Sequence, residues 1–394
     1  MKCVAFVGGM VFNSHTEQFE RTNLICRDEF IVDVSLAVPE GYTKIDVSGK
    51  YIIPGLIDVH THGIAGGDFN YASESKMERM CQAYAKNGTT SIMATLASQP
   101  LTKIFNSIYA INQNRVNDKL DKANILGIHM EGRYLNPKMR GAHAADMLAL
   151  PDLSELSSLF NIMVPTPMHF SLAPELEGAK EFIMKAKELG ATVGLAHTNA
   201  SYEQAEEALS WGANAFTHTY NAMTPIHHRM PGAAICSLNS KNAYTEIICD
   251  GIHSHPAMIQ LAYNAKAKDK LVLITDSMSA AGMEDGEYAL AGSDVIVKDG
   301  RAVNKEGVLA GSTLTLFKAV CNIMKFCSIT LEEALKFATT NPAKMVGADF
   351  VGSLEKNYRA DLIVIEDKEN PQIYDVYVGG ISLFVTVRLK NVLR

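Results

Sequence analysis

The amino-acid sequence predicts an α/β fold: a (β/α)8 TIM-type barrel with a small β-sandwich domain formed from both chain ends. Three observations predict it. Through the middle of the chain, eight apolar strand-like runs alternate with helix-like segments. Both ends are rich in strand-like runs and show little helical periodicity. Several of the middle runs end in a histidine or a carboxylate, and barrels of this kind carry their active sites at the C-terminal ends of their strands.

Taken in order, residues 1–52 read as short strands and turns, at 3–12, in pieces over 23–34, and at 43–47, with alternating or β-branched content. Residues 53–350 are assigned to the barrel. Its strand candidates are 51–59, 90–96, 124–129, 168–172, 191–197, 215–218, 244–249 and 271–276. Amphipathic helices are predicted over 74–86, 175–189, 202–211 and 255–267, and further helices at 312–326 and 331–339 would complete the ring. Residues 351–394 return to strand texture at 360–365 and 376–387, so the sandwich is read as drawing on both termini. The β/α alternation is the only internal repeat.

At 394 residues the chain can bury a large core and exceeds the common range for one domain. Hydrophobic residues make up 47% and charged residues 20%, as in an ordinary globular protein. A formal net charge of −7 and the lack of a long Lys/Arg run argue against a nucleic-acid surface. An anionic substrate would therefore need a locally positive pocket. Seven scattered cysteines without a Cys-x-x-Cys suggest free thiols in a reducing compartment. The apolar N-terminus is short and broken by glycine, unlike a signal peptide, and no apolar run approaches about 18 residues, so no membrane span is expected and the cytoplasm is the expected location.

His60 and His62 follow an apolar run and precede Gly63. In an extended strand alternate side chains share a face, about 6–7 Å apart, which suits two imidazoles on one metal ion. An isolated His-x-His is more often chance. The other strand ends change the balance, because they supply Glu131, His197, His218 and Asp276. Any one of these could be a satisfied core histidine or a capping carboxylate. Six at one mouth of a barrel point to a metal centre with an acid–base group.

Ten consecutive residues from Pro54 to Gly63, with Gly127-Ile128-His129-Met130-Glu131-Gly132, Ala173-Pro174-Glu175, Ala196-His197-Thr198-Asn199-Ala200 and Thr217-His218-Thr219-Tyr220-Asn221-Ala222-Met223, form an ordered set of blocks. Asp250-Gly251-Ile252-His253, Thr275-Asp276 and Leu309-Ala310-Gly311-Ser312 extend it. The set resembles the amidohydrolase superfamily, and within it the N-acetylglucosamine-6-phosphate deacetylases, over nearly the whole chain. The resemblance implies a primary metal site of Glu131, His197 and His218, open at one position for water. Because His60 and His62 are both kept, it also allows a second ion bridged through Glu131, giving one or two ions per chain. A divalent ion lowers the pKa of bound water from about 15.7 towards 7. The resemblance makes Asp276 the group that takes the proton from that water and passes it to the leaving amine, which is a poor leaving group until protonated. It makes His143 the loop histidine that polarises the acetyl carbonyl.

For an amino-sugar phosphate the resemblance points to Asn221, Ala222, Arg229 and His253, with Ala142 lining the sugar site and Leu309, Ala310 and Gly311 closing over it. An arginine suits a phosphate because its planar fork donates two hydrogen bonds at once. Zinc is the expected metal, and iron or manganese would accept the same ligands. A homodimer is implied, with a neighbour's residues approaching the phosphate.

Three positions depart from the family's pattern. Arg133-Tyr134 stand where Pro-Phe is usual, and Thr219 stands where leucine is usual. An arginine near the metal would add donors and could shift the preference to a related sugar such as N-acetylgalactosamine 6-phosphate. The rival readings are another amidohydrolase, for instance a cyclic-amide hydrolase or a nucleobase deaminase, and a non-catalytic binding subunit. Many cyclic-amide hydrolases bridge their metals with a carbamylated lysine, where this chain offers Glu131. A binding subunit would be expected to have lost ligands.

Overall fold

The computed structural model describes residues 2–71, 73–116, 121–162 and 166–384. Eight parallel strands form one sheet in strict chain order: β1 (Leu56–Thr61), β2 (Thr89–Ala97), β3 (Asn124–Glu131), β4 (Met168–Leu172), β5 (Thr192–Leu195), β6 (Ala215–Phe216), β7 (Tyr244–Ile248) and β8 (Leu271–Ile274). Almost every residue in them is buried, as a parallel sheet covered on both faces requires. The ends of β1 and β8 then meet. Asp276 N–H donates to His60 O at 2.9 Å, His62 N–H donates to Ser277 O at 2.8 Å, and Thr61 bridges Ser277. Helices fill the outside, and their starts are written locally. Ser201 with Gln204, and Thr330 with Glu333, form reciprocal capping boxes.

Polar residues cross the barrel interior. Thr95 Oγ1 lies 3.2 Å from His129 Nδ1, His129 Nε2 lies 2.7 Å from Ser171 Oγ, and Ser171 Oγ lies 2.8 Å from Thr217 Oγ1. Gly194 on β5 leaves room for this chain, because a Cβ there would stand 2.5 Å from Thr217 Oγ1 and 3.0 Å from His169 Nε2.

Both chain ends contribute to the second layer system. A four-stranded sheet comes from the N-terminal segment alone. A six-stranded sheet places Leu362–Ile365 and Ile373–Val378 beside Tyr51–Pro54 and Met10–Asn13. Phe6, Leu24, Ile31, Ile52, Leu362 and Tyr377 belong to the hydrophobic core of this unit.

Four local expectations are corrected. The run 51–59 is two strands, not one: Tyr51–Pro54 pairs in the six-stranded sheet and β1 starts at Leu56. The break is Gly55, where a Cβ would collide with the Thr90 side chain at 2.1 Å. The stretch 376–387 turns back at Gly379 and Gly380, both with positive φ, and residues 385–387 lie outside the described residues. The helix expected at 331–339 is Leu331–Leu335, a 3-10 turn and then Thr340–Val346, broken where Thr339 leaves helical geometry. Finally, a three-stranded antiparallel sheet, Gly286–Leu290, Ser293–Lys298 and Arg301–Asn304, follows β8 where no strands were expected.

Candidate metal centre and active site

The six residues foreseen at the strand ends do converge. Glu131 closes β3, and its two oxygens face different histidines. Oε1 lies 2.9 Å from His218 Nε2 and 3.3 Å from His197 Nε2. Oε2 lies 2.9 Å from His62 Nε2 and 3.5 Å from His60 Nε2. Asp276 Oδ1 closes the second group, 3.3 Å from His62 Nε2 and 3.6 Å from His60 Nε2.

Three of these residues lie just past their strands in left-handed backbone: His197 at φ 47°, His218 at φ 32° and Asp276 at φ 49°. Such conformations cost about 1–3 kcal/mol each outside glycine, and they gather where a site needs a side chain aimed. Surrounding hydrogen bonds hold them. His197 O accepts from Asn136 N–H at 2.9 Å, and Asp276 O accepts from Ser312 N–H at 2.7 Å. Glu175 braces the loop after β5 by accepting from Thr198 Oγ1 and from the Asn199 N–H.

Burial opposes charge on Asp276, Glu131, His60 and His62, so the partners decide the outcome. Burial would raise the Asp276 carboxyl, but the His60 and His62 rings hold it below the usual carboxylate range. Burial would likewise raise Glu131, and the surrounding histidines hold it well down. Conversely, burial would lower the imidazoles, but the carboxylates lift His60 well above its ordinary value and His62 to about 9. The cluster is a set of carboxylates that calls for positive charge.

A divalent ion fits that demand. His60 Nε2 is fully buried without a hydrogen-bond partner and faces two carboxylate oxygens. The donor set of imidazole nitrogens and carboxylate oxygens is the one that Zn, Fe and Mn accept. His197 Nδ1 lies 2.8 Å from the Met139 carbonyl, so Nδ1–H donates there and Nε2 is left as the ligand atom.

Beside the cluster opens a cavity of ≈ 720 Å³. Ala142, His143, Asn221, Ala222, His253, Leu309 and Gly311 all line it, with His62, Glu131, His197, His218 and Asp276. Three foreseen residues do not. His60 lies beneath the floor, fully buried. Ala310 is buried with Met278 and Val295 under the antiparallel sheet. Arg229 is exposed outside the cavity, its Nη1 2.8 Å from His228 Nε2.

The three residues that depart from the family's pattern do not reach the cavity. Arg133 gives its guanidinium to Glu155, at 3.1 and 2.8 Å, and to the Gln99 carbonyl at 3.1 Å. Tyr134 is buried, with its hydroxyl also on Glu155. Thr219 is buried against Ser237.

Sequence reasoning missed other residues. Ser98 sets His143: its N–H donates to Nδ1 at 3.4 Å and its Oγ lies 2.9 Å from the same atom. Ser98 Oγ also accepts from Arg133 N–H, so its own proton goes to His143. Nδ1 is therefore the acceptor and Nε2 carries the proton. Burial pushes the His143 pKa down, which keeps the ring neutral. Tyr71, Gln99, Lys103, Lys138 and Arg301 form further cavity wall.

Among known proteins, the model of the amidohydrolase family matches residues 51–382. An N-acetylgalactosamine-6-phosphate deacetylase of Escherichia coli O157:H7 is 36% identical over 330 residues, 84% of this chain and 86% of the relative. An N-acetylglucosamine-6-phosphate deacetylase of Vibrio furnissii is 36% identical over 355 residues, 89% and 88% of the two chains. The solved D267A mutant of N-acetyl-D-glucosamine-6-phosphate deacetylase from Mycobacterium smegmatis, in complex with N-acetyl-D-glucosamine-6-phosphate, superposes with a TM-score of 0.90 at 27% identity, covering 97% of this chain and 100% of that one. The cluster around Glu131 could hold the divalent ion that such hydrolases use, and the chain belongs to the amidohydrolase family.

Proposed function

We propose that the protein hydrolyses the acetamide of N-acetylglucosamine 6-phosphate, giving glucosamine 6-phosphate and acetate. The observation that carries this reading is the grouping of four imidazole Nε2 atoms on the two oxygens of Glu131, beside a cavity whose lining includes Lys103, Lys138 and Arg301. Zinc is the proposed ion, with one position at Glu131, His197 and His218 and a second at Glu131, His60 and His62. Bound there, it would supply an acidified water near neutral pH.

The chain's own groups do the rest. Asp276, held as carboxylate, takes the proton of the attacking water and delivers it to the amide nitrogen as the C–N bond breaks. The Nε2–H of His143 donates to the acetyl oxygen. His253 faces the sugar phosphate with its Nδ1 2.7 Å from Asp250 Oδ2. Burial opposes charge on that ring, but Asp250 raises its pKa, so it favours an anion. Lys103, Lys138 and Arg301 on the wall supply the local positive charge that a chain of net charge −7 otherwise lacks. Exposed Arg229, with Met230 beside it at 72% exposure, suits a phosphate site completed by a second copy of the chain.

A second reading, N-acetylgalactosamine 6-phosphate as substrate, is favoured by the 36% identity to the E. coli relative. Arg133 no longer supports it, since its guanidinium is spent on Glu155 and Gln99. The cysteines form no disulfide among the described residues, and no helix among those residues is long and apolar enough to cross a membrane. The test is acetate release from both hexosamine 6-phosphates and their unphosphorylated sugars at known metal loading. Faster turnover of the glucosamine epimer supports the first reading. A preference for the galactosamine epimer selects the second, and loss of the phosphate dependence removes both.

A further inference from the structure

Each side of Glu131 has one imidazole braced from behind. On the Oε1 side it is His197, whose Nδ1 meets the Met139 carbonyl. On the Oε2 side it is His60, whose Nδ1 lies 3.4 Å from Glu246 Oε2. His62 and His218 have no such partner at Nδ1. Glu246 sits on β7, fully buried, two strands round the barrel from β1. Its Oε2 also accepts the backbone N–H of His218 at 3.2 Å, and its backbone carbonyl accepts the Thr219 N–H at 2.8 Å. A buried carboxylate is costly to keep in a barrel core, and this one spends its contacts on two metal-ligand residues.

We propose that Glu246 is a positioning residue that builds the ion position of His60 and His62. A carboxylate accepting from Nδ1 fixes the ring's rotation, selects the tautomer with Nε2 free, and makes that nitrogen a stronger donor. The link to the His218 backbone ties the same carboxylate to the loop bearing the other ion's ligand. Glu246 thereby sets the affinity of the second ion more than that of the first. This inference rests on the two-ion reading above.

The test is chelator-competition titration of zinc into the metal-free full-length protein, wild type and Glu246→Gln, with thermal unfolding of the metal-free forms as a check on the fold. Wild type should take two ions. Glu246→Gln should hold the second about 10–100-fold more weakly, as outer partners of ligand histidines do, with a much smaller change at the first. Equal weakening of both ions, or of neither, in a protein whose wild type binds two would overturn the role of Glu246 alone. A single ion in wild type would overturn the two-ion reading and this proposal together. If Glu246→Gln does not fold, nitrogen-15 resonances of histidine in the zinc-loaded wild type decide. His60 should carry its proton on Nδ1, and a proton on Nε2 would refute the proposal.

Discussion

His218 Nε2 lies 2.9 Å from Glu131 Oε1, while the other oxygen of the same carboxylate is left to His60 and His62. One side chain at the end of β3 is therefore shared between two groups of histidines drawn from three strand ends. Asp276 stands on the Oε2 side alone, where its contacts to His60 and His62 hold it ionised.

Under the proposed function, Asp276 is the proton carrier. Asp276→Asn should keep a native circular dichroism spectrum and at least the ion at Glu131, His197 and His218. Its kcat should fall by about 10²-fold or more, the scale of general acid–base catalysis. Wild-type turnover in this variant would remove Asp276 from the proton path.

Under the proposed function, Ser98 acts on the reaction through its contacts to His143. With Ser98→Ala the Nδ1 acceptor loses one donor, the tautomer with Nε2–H is less favoured, and kcat should fall by about tenfold, with KM little changed. Ser98→Thr, which keeps the hydroxyl, should recover most of the loss. A KM effect alone would assign Ser98 to substrate binding instead.

Arg229 tests how the phosphate is held. Arg229→Ala should lower kcat/KM for the phosphorylated sugar by about 10–100-fold, the worth of a charged hydrogen bond of about 1.5–3 kcal/mol. The unphosphorylated sugar should be nearly unaffected. Because Arg229 lies outside its own chain's cavity, wild-type and Asp276→Asn chains mixed with Arg229→Ala chains should show whether the arginine acts across a dimer.

His169 predicts a pH dependence of stability. It is fully buried on β4, and burial pushes its pKa down to about 4. Between pH 6.5 and 4 the unfolded chain binds a proton that the folded chain refuses, so stability is lost as pH falls through that window. Above pH 6.5 the group contributes no slope. Denaturant unfolding of metal-free wild type should therefore lose about 3 kcal/mol more between pH 7 and 4 than His169→Asn does. Parallel curves would contradict it.

Much of this arrangement was legible along the chain, for physical reasons. Parallel strands buried on both faces leave continuous apolar runs, so the barrel could be read, and a ligand at a strand end is marked by its position. The partners that tune those ligands could not be read that way. Ser98 and Glu246 gain their roles only when β2 and β7 are carried round to His143 and His60. Gly55 breaks the first strand because of a neighbour 35 residues away, Thr90. The antiparallel sheet is different, because its signals were present. Val295 and Val297 are buried between exposed Asp294, Ile296 and Lys298, and Asp299-Gly300 makes the turn. Its Arg301 proves to line the cavity.

The most direct measurement is anomalous diffraction from crystals of the zinc-loaded enzyme. One peak should lie against Glu131 Oε1 with His197 and His218, and a second against Oε2 with His60 and His62. Density for zinc that touches neither oxygen of Glu131 would contradict the account at its centre.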